Sequence, residues 1–338
     1  MRKILSLLLV LAMMLGCCAI ASAETVDYTQ GNPVVIKIAH VSQEGVPIDQ
    51  GHRLFKQKIE EITGGRMTVE VYPAAQLGDN TYLLEQLQLG ALEMCSPSVA
   101  ALGGFSDATA LLDLPFLFKS DEAAWEVLDG EVGQAVFASL ESSGFVGLAW
   151  LSTGWRHLTA NTEIRVPADM AGKKIRVMEN QIHIDTWNAL GASATPMAFS
   201  ELYTALQNGT VDCQENPFAN INGNRLNDVQ KYIILTYHIY DTAPLLASKV
   251  WWDTLSQTDQ QLIRDTMVDV LAVERQISID DQETLKEKIA NNGFNVIVEL
   301  TDEERALWRE GTQSIYDKYG PGIGMDLIEQ IQEINSKY

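Results

Sequence analysis

Strand-like and helix-like patterns alternate in this chain, and this alternation constrains the fold more than any other feature. Residues 34–40 are β-branched, and residues 67–72 alternate apolar and polar positions as a strand does. Between them lies a helical apolar pattern that two glycines at 64 and 65 bring to an end. A strand, a helix and a second strand predict a parallel βαβ unit.

The same alternation returns after residue 154. Strands are predicted at residues 174–177, 194–197 and 211–213, and helices at residues 182–190 and 200–207. Two such regions predict an α/β protein with two lobes and a ligand cleft between them. Ligands of open parallel sheets lie beyond the carboxyl ends of the strands, and clefts between domains are preferred ligand sites.

The C-terminal third has helical patterns. Thr258 with Gln261, and Thr301 with Glu304, each have the spacing of a capping box and predict two helix starts. The first of these helices is expected to run from Thr258 to about residue 288.

Residues 1–23 predict a secretory signal peptide, because Arg2 and Lys3 precede a short apolar run and Ala21-Ser22-Ala23 forms a cleavage site. No later apolar run has the roughly 20 residues needed to span a bilayer. We therefore expect a periplasmic protein. Lipid anchoring at Cys17 is the alternative, since residues 14–17 loosely match the segment that precedes a lipidated cysteine.

The net charge of −21 excludes nucleic acid as a partner and means that any anion site must be built from local cations. The five histidines show no metal-binding spacing, and no nucleophile or nucleotide motif is present in the sequence. We therefore expect no cofactor and no enzymatic activity. Beyond the signal peptide, Cys95 and Cys213 can form one disulfide or remain two buried thiols.

Two polar residues stand out as candidates for ligand binding. Arg176 lies inside the predicted strand 174–177, where a guanidinium needs an anion, either a ligand carboxylate or an internal Asp or Glu. Asn216 precedes Pro217 and is expected to present its amide in a turn, although a plain turn residue is the alternative.

Residues 174–217 carry three consecutive motifs, K-I-R-V, G-A-S-A-T-P-M-A-F-S-E-L-Y-T-A-L-Q and V-D-C-Q-E-N-P. Together they resemble the signature of the solute-binding proteins of tripartite ATP-independent periplasmic (TRAP) transporters. The resemblance implies that Arg176 binds a carboxylate and that Asn216 assists. It also implies ligand contacts for Arg156, in a Gly-Trp-Arg segment, and for Phe199 as an aromatic wall. For Arg156, a surface salt bridge is the alternative.

Further contacts to the far end of a ligand are implied at polar positions of both lobes. These are Asp79, Asn80, Ser96, Ser98, Glu179 and Asn180. Hydroxyl and amide groups suit a sugar acid such as a hexuronate better than a C4 dicarboxylate. Two departures from the family pattern are Cys213 in place of glycine and Asn161-Thr162-Glu163, which lacks a cation that many relatives have there.

The resemblance implies a two-lobed periplasmic binding protein fold, with a long helix that spans both lobes. We expect lobe I to comprise residues 30–153 and 242–281, and lobe II residues 154–241 and 282–338. The implied function is capture of an organic acid and its delivery to TRAP membrane subunits. A sensory protein that presents the acid to a receptor is the alternative, and a secreted hydrolase has less support.

Overall fold

The computed structural model describes residues 26–338, so the predicted signal peptide and Cys17 lie outside the described residues. The strands are β1 (Val34–Ala39), β2 (Met67–Tyr72), β3 (Met94–Cys95), β4 (Phe145–Trp155), β5 (His157–Ala160), β6 (Lys174–Val177), β7 (Ser193–Pro196), β8 (Cys213–Asn216), β9 (Tyr232–Ile234), β10 (Tyr240–Ser248) and β11 (Val296–Val298). The α-helices are α1 (Pro47–Ile62), α2 (Asn80–Gln88), α3 (Asp121–Asp129), α4 (Glu131–Leu140), α5 (Gln181–Ala189), α6 (Leu202–Gln207), α7 (Phe218–Gly223), α8 (Lys249–Trp252), α9 (Gln257–Ala290), α10 (Asp302–Gly311), α11 (Gln313–Ile323) and α12 (Met325–Asn335).

The first sheet has the strand order β2-β1-β3-β10-β4. Strand β1 is parallel to β2 and to β3, which confirms the predicted βαβ unit. Strand β10 lies antiparallel between β3 and β4, although it follows β3 by about 150 residues in the chain. We call the part of the molecule built on this sheet the first lobe.

The second sheet has the order β11-β9-β5-β8-β6-β7. Strand β6 is parallel to β7 and β8, whereas β5 is antiparallel to β8 and β9. Apolar side chains cover this sheet in two buried clusters, one around Trp187 and Trp308 and the other around Leu202 and Ile289. We call the part of the molecule built on this sheet the second lobe.

The chain passes directly from a strand of one sheet to a strand of the other at two neighbouring places, and helix α9 makes a third, separate passage. Strand β4 of the first sheet ends at Trp155 and β5 of the second begins at His157, so Arg156 lies at the passage itself. The return passage, between β9 and β10, lies beside it, because the Arg156 N–H donates to the Ile239 carbonyl at 2.9 Å. These two segments are where a hinge between the lobes would lie.

Helix α9 is the long helix expected from the sequence, and its 34 residues correspond to about 50 Å. It contacts α1 and β4 of the first lobe and α7 and β11 of the second. Its N-cap is Ser256, whose hydroxyl accepts from the Asp259 N–H at 3.1 Å, so the capping box predicted at Thr258 is wrong. The box at Thr301 is confirmed.

Three further observations bear on the predicted organisation. The thiols of Cys95 and Cys213 are both free and buried, in β3 of one sheet and β8 of the other, so the disulfide alternative is excluded. No helix within residues 26–338 combines the length and apolarity needed to cross a bilayer. Helix α12, which belongs to the segment predicted for lobe II, packs against α3 of the first lobe. The predicted lobe boundaries stay a prediction.

Candidate functional site

Two small cavities lie between the lobes, and Arg176 borders both. Their volumes are about 30 Å³ and about 20 Å³, and they share Asn80, Arg176, Met178 and Phe199 in their walls. The walls include residues at or just beyond the carboxyl ends of β1, β3, β6 and β8, where the sequence predicted a ligand site.

The Arg176 guanidinium is buried and lacks a counter-charge. Its side chain is 2% exposed, and its Nε and Nη2 donate to the Met197 carbonyl at 2.9 and 2.6 Å. Among residues 26–338, no carboxylate oxygen lies within 4.0 Å of its nitrogens, and Nη1 makes no hydrogen bond. The alternative of an internal ion pair is therefore not realised at this position.

The electrostatics around Arg176 favour an anion. Burial and, to a smaller extent, the nearby Arg156 charge lower the pKa of Arg176 to about 10, although the charges of Glu215, Glu179 and Asp79 act in the opposite direction. The guanidinium is thus still protonated at neutral pH, in surroundings that disfavour its charge. An anion bound at Nη1 would relieve this cost by a charge-assisted hydrogen bond.

The second arginine, Arg156, is fully buried and paired. Its Nε and Nη2 donate to the Glu215 carboxylate at 2.5 and 2.8 Å, and Nη1 donates to Asp241 Oδ2 at 2.8 Å. Burial alone would lower the pKa of Arg156, but Glu215 and Asp241 outweigh it and raise the pKa. Arg156 lines the larger cavity, as predicted, yet two carboxylates already compensate its charge.

Glu215 and His238 complete this buried network. His238 Nε2 lies 2.9 Å from Glu215 Oε2, and its Nδ1 lies 2.7 Å from the Thr236 hydroxyl. Burial would raise the pKa of Glu215, but the Arg156 charge holds it well below its usual value. Burial lowers the pKa of His238. The network fixes the passage between the lobes beside the cavity.

Asn216 lies in the cavity wall but not in the predicted turn. Residues 213–216 form strand β8, in which all four are buried and Asn216 pairs with His157 of β5. The predicted strand end at residue 213 is therefore wrong, because the polar side chains find partners inside the sheet. The Asn216 amide donates to Gln214 Oε1 at 2.6 Å, and its oxygen accepts from Asn220 at 3.3 Å.

The four polar residues predicted from the first lobe all reach the cavities. Asn80, Ser96 and Ser98 line the larger one, and Asp79 lines the smaller. Buried oxygens of Asp79 (Oδ1), Asn80 (Oδ1) and Ser96 (Oγ) have no hydrogen-bond partner within residues 26–338. Ser98 instead donates to Asp241 Oδ1 at 2.9 Å.

The three remaining predicted residues lie at different places. Phe199 lines both cavities and places its ring 5.7 Å from the Arg176 guanidinium carbon. Glu179 is exposed and borders only the smaller cavity. Asn180 lines neither, since its oxygen caps helix α5 and its amide donates to Ala100 and Asp113 of the first lobe. Asn180 therefore connects the lobes next to the site.

Sequence reasoning missed several residues of the larger cavity. Asp241 and Thr153 lie where the chain passes between lobes, and Asn220 lies in α7. Val41 and Ser42 follow β1 directly, so the rule that ligands bind beyond strand ends would have found them. No comparable signal exists for Asp241, which stands in a strand of nine buried residues.

Three comparisons relate this chain to known proteins over almost its whole length. A family model for bacterial extracellular solute-binding protein, family 7, matches residues 38–321. The C4-dicarboxylate-binding periplasmic protein DctP of Rhodobacter capsulatus is 34% identical over 325 residues, which cover 96% of this chain and 97% of that protein.

Two solved structures share the fold. A TRAP periplasmic solute-binding protein from Sulfurospirillum deleyianum with bound succinate has a TM-score of 0.86 at 31% identity, and the match covers 90% of this chain and 100% of that chain. The sugar acid binding protein DctPAm from Advenella mimigardefordensis in complex with galactonate has a TM-score of 0.88 at 31% identity, and the match covers 91% and 99%. The two-lobed fold predicted from the sequence is confirmed.

Proposed function

We propose, since this chain belongs to bacterial extracellular solute-binding protein family 7, that it captures an organic acid between its lobes in the periplasm and delivers it to the membrane subunits of a TRAP transporter. One observation carries the proposal. Arg176 is a buried guanidinium that borders the cavities and has no carboxylate partner among residues 26–338. A ligand carboxylate is the anion that its planar fork of N–H groups suits best.

The charges around the cavities favour an acid with one carboxylate. Arg156 is the other cation of the wall, and Glu215 and Asp241 already compensate it. A second ligand carboxylate would face Asp79 and Asp241, with no free cation beside it in the part of the chain that the structure describes. One solved relative holds succinate, a C4 dicarboxylate, and another holds galactonate, a sugar acid with one carboxylate. We therefore favour a sugar acid over a C4 dicarboxylate.

The unpartnered oxygens support the same choice. Oδ1 of Asp79 and Oδ1 of Asn80 are acceptors, and the Ser96 hydroxyl can donate or accept. Buried acceptors without donors cost free energy, which the hydroxyl groups of a sugar acid would remove. A dicarboxylate without hydroxyl groups, such as succinate, offers no such donors.

Thermal-shift and calorimetric titrations against two panels of acids test the proposal. One panel contains aldonates and uronates, and the other contains succinate, malate and fumarate. Ligand at 100 times its dissociation constant should stabilise the fold by about 2.7 kcal/mol. We expect aldonates or uronates to bind more tightly than the dicarboxylates and to be recovered chemically unchanged, as a binding protein requires.

The outcomes separate the parts of the proposal. Tighter binding of succinate or malate would overturn the sugar-acid assignment while leaving the binding function intact. Binding of no organic acid by the folded protein would overturn the function. Delivery is tested separately, by uptake into vesicles that contain TRAP membrane subunits, with and without the binding protein.

A further inference from the structure

A second and larger cleft, of about 680 Å³, shares no lining residue with the two cavities at Arg176. Five aromatic side chains form much of its wall, namely Phe116, Phe118, Trp155, Tyr237 and Tyr338. Its volume falls in the range of about 300–1,000 Å³ that small-molecule sites occupy. It lies where Trp155 and Tyr237 mark the two neighbouring passages of the chain between the lobes.

Two arginines of helix α10, the half-buried Arg305 and the exposed Arg309, line this cleft without a direct ion pair to the described residues. The Arg305 guanidinium carbon lies 5.5 Å from the Tyr237 ring centre, and that of Arg309 lies 5.9 Å from the Phe116 ring centre. Within residues 26–338, neither has a carboxylate oxygen within 4.0 Å. The Arg305 side chain donates to the carbonyls of Leu235 and Leu300, whereas the Arg309 guanidinium makes no hydrogen bond to the described residues.

Contact with an aromatic ring does not use the N–H edge of a guanidinium, and the N–H groups of the Arg309 guanidinium have no acceptor among the described residues. Such an edge matches the two oxygens of a carboxylate. Lys119 adds a third cation to the lining, and Asp121 is the one acidic side chain there. Asp121 Oδ2 already accepts from Trp155 Nε1 at 3.0 Å, and Glu299, which lies near Arg305, is paired with Lys286 at 2.9 Å.

This excess of cations contrasts with the rest of the molecule. The chain has a net charge of −21, so an anion approaches only where local cations outweigh the surrounding field. The wall is also strained, since Phe116 and Tyr237 have φ values of +56° and +48°. Bulky side chains rarely adopt such values, and strain of this kind concentrates at ligand sites.

We propose that this cleft is a second binding site and that it takes a small aromatic carboxylate. The carboxylate would contact the N–H edge of Arg309, with Arg305 and Lys119 nearby. The aromatic body would lie against Phe118 and Trp155. This site is separate from the one at Arg176 and does not depend on which acid binds there.

Calorimetry with indole-3-acetate as the probe tests this proposal. We expect binding to the unaltered protein and, with the same affinity, to Arg176→Ala, which removes the carboxylate partner of the first site. Arg309→Gln should weaken the probe at least about tenfold, because it removes a charge-assisted contact. Lys119→Gln should weaken probe binding less, because the lysine ammonium group lacks the planar pair of N–H groups with which arginine binds a carboxylate.

Arg264→Gln is the matched control. The Arg264 guanidinium carbon also lies over an aromatic ring, 4.9 Å from the ring centre of Trp252. Among residues 26–338, no carboxylate oxygen lies within 4.0 Å of its guanidinium nitrogens, but Arg264 lies outside this cleft. Its replacement should leave probe affinity unchanged. The proposal is overturned if the probe binds the unaltered protein more weakly than about 1 mM, if Arg176→Ala abolishes binding, or if folded Arg309→Gln binds as well as Arg264→Gln.

Discussion

Arg156 and Arg176 are both buried beside the same cavity, yet their partners give them different roles. Arg156 is held by Glu215 and Asp241, so its removal would leave two buried carboxylates without a cation. Arg176 has only carbonyl acceptors in residues 26–338. The first arginine therefore organises the site, and the second is available to a ligand.

Replacement of Arg176 by alanine should weaken binding of the preferred acid by about 2–5 kcal/mol, the range for truncating one partner of a buried charge pair. Arg176→Lys should recover only part of this loss, because an ammonium group lacks the planar fork. Isothermal titration measures both. Arg165→Ala is the control, since Arg165 is 43% exposed and pairs with Glu163 and Glu304. Weakening of less than threefold in Arg176→Ala would remove Arg176 from the site.

The sequence placed some site residues and not others for identifiable physical reasons. Arg176 and Phe199 lie in the motifs of residues 174–217, and the family resemblance of those motifs assigned both residues to the site. Asn180 was misplaced because its predicted position after a strand does not reveal that its amide finds partners in Ala100 and Asp113, about 70–80 residues earlier. Asp241 was missed because its partner Arg156 is 85 residues away.

At the scale of elements, helix α9 contains a carboxyl group whose charge the fold disfavours. Glu274 is fully buried, and its Oε2 accepts from the Ser152 N–H at 3.1 Å. Its Oε1 has no partner among the described residues, and burial raises the pKa of Glu274 to about 8. Gly51 allows helix α1 to approach here, because a Cβ at that position would lie 2.9 Å from Glu274 Cγ.

The pH dependence of stability should reveal this group. Glu274 binds its proton more tightly in the folded protein than in the unfolded one. Its contribution to the free energy of unfolding is therefore fully present below about pH 4.5 and is lost as the pH rises to about 8. Glu274→Gln should therefore raise the free energy of unfolding above that of the unaltered protein. The difference should grow by up to about 1.4 kcal/mol for each pH unit between about pH 4.5 and pH 8.

Urea unfolding at pH 5, 6.5 and 8 measures this difference. Glu287→Gln is the control, since Glu287 is exposed on the same helix. An equal effect of Glu274→Gln at all three pH values would show that Glu274 is ionised in the folded protein.

Elements themselves were predicted better than their edges. The span of α9 was predicted within two residues at its C-terminus, because its apolar periodicity is long. Strand β8 was cut short, since Gln-Glu-Asn-Pro has the composition of a turn and only its pairing with β5 makes it a strand. Pairing partners distant in sequence are what local patterns cannot supply.

At the scale of the whole molecule, direct contacts hold the lobes together over the cavities. Gln43 donates to Asn224 at 2.9 Å, and Ser200 donates to Asp79 at 3.0 Å. With Arg176 only 2% exposed, a ligand cannot reach it unless these contacts open. The described conformation is therefore a closed one, and capture requires a second, open arrangement.

Small-angle scattering should detect this change. The radius of gyration should be larger without ligand and should fall when the preferred acid saturates the protein, because the ligand favours the closed arrangement. Arg176→Ala at the same acid concentration is the control and should keep the larger value. An unchanged radius at saturation of the unaltered protein would contradict closure.

Strand β10 has a consequence for how the chain reaches this structure. It is inserted between β3 and β4, so the first sheet cannot be completed until residues 240–248 are available. Contacts between positions this far apart are slow to form, because the intervening chain must lose its freedom first. We expect the newly made chain to stay unfolded for most of its synthesis, a state that would suit passage through the narrow export channel that the proposed periplasmic location requires.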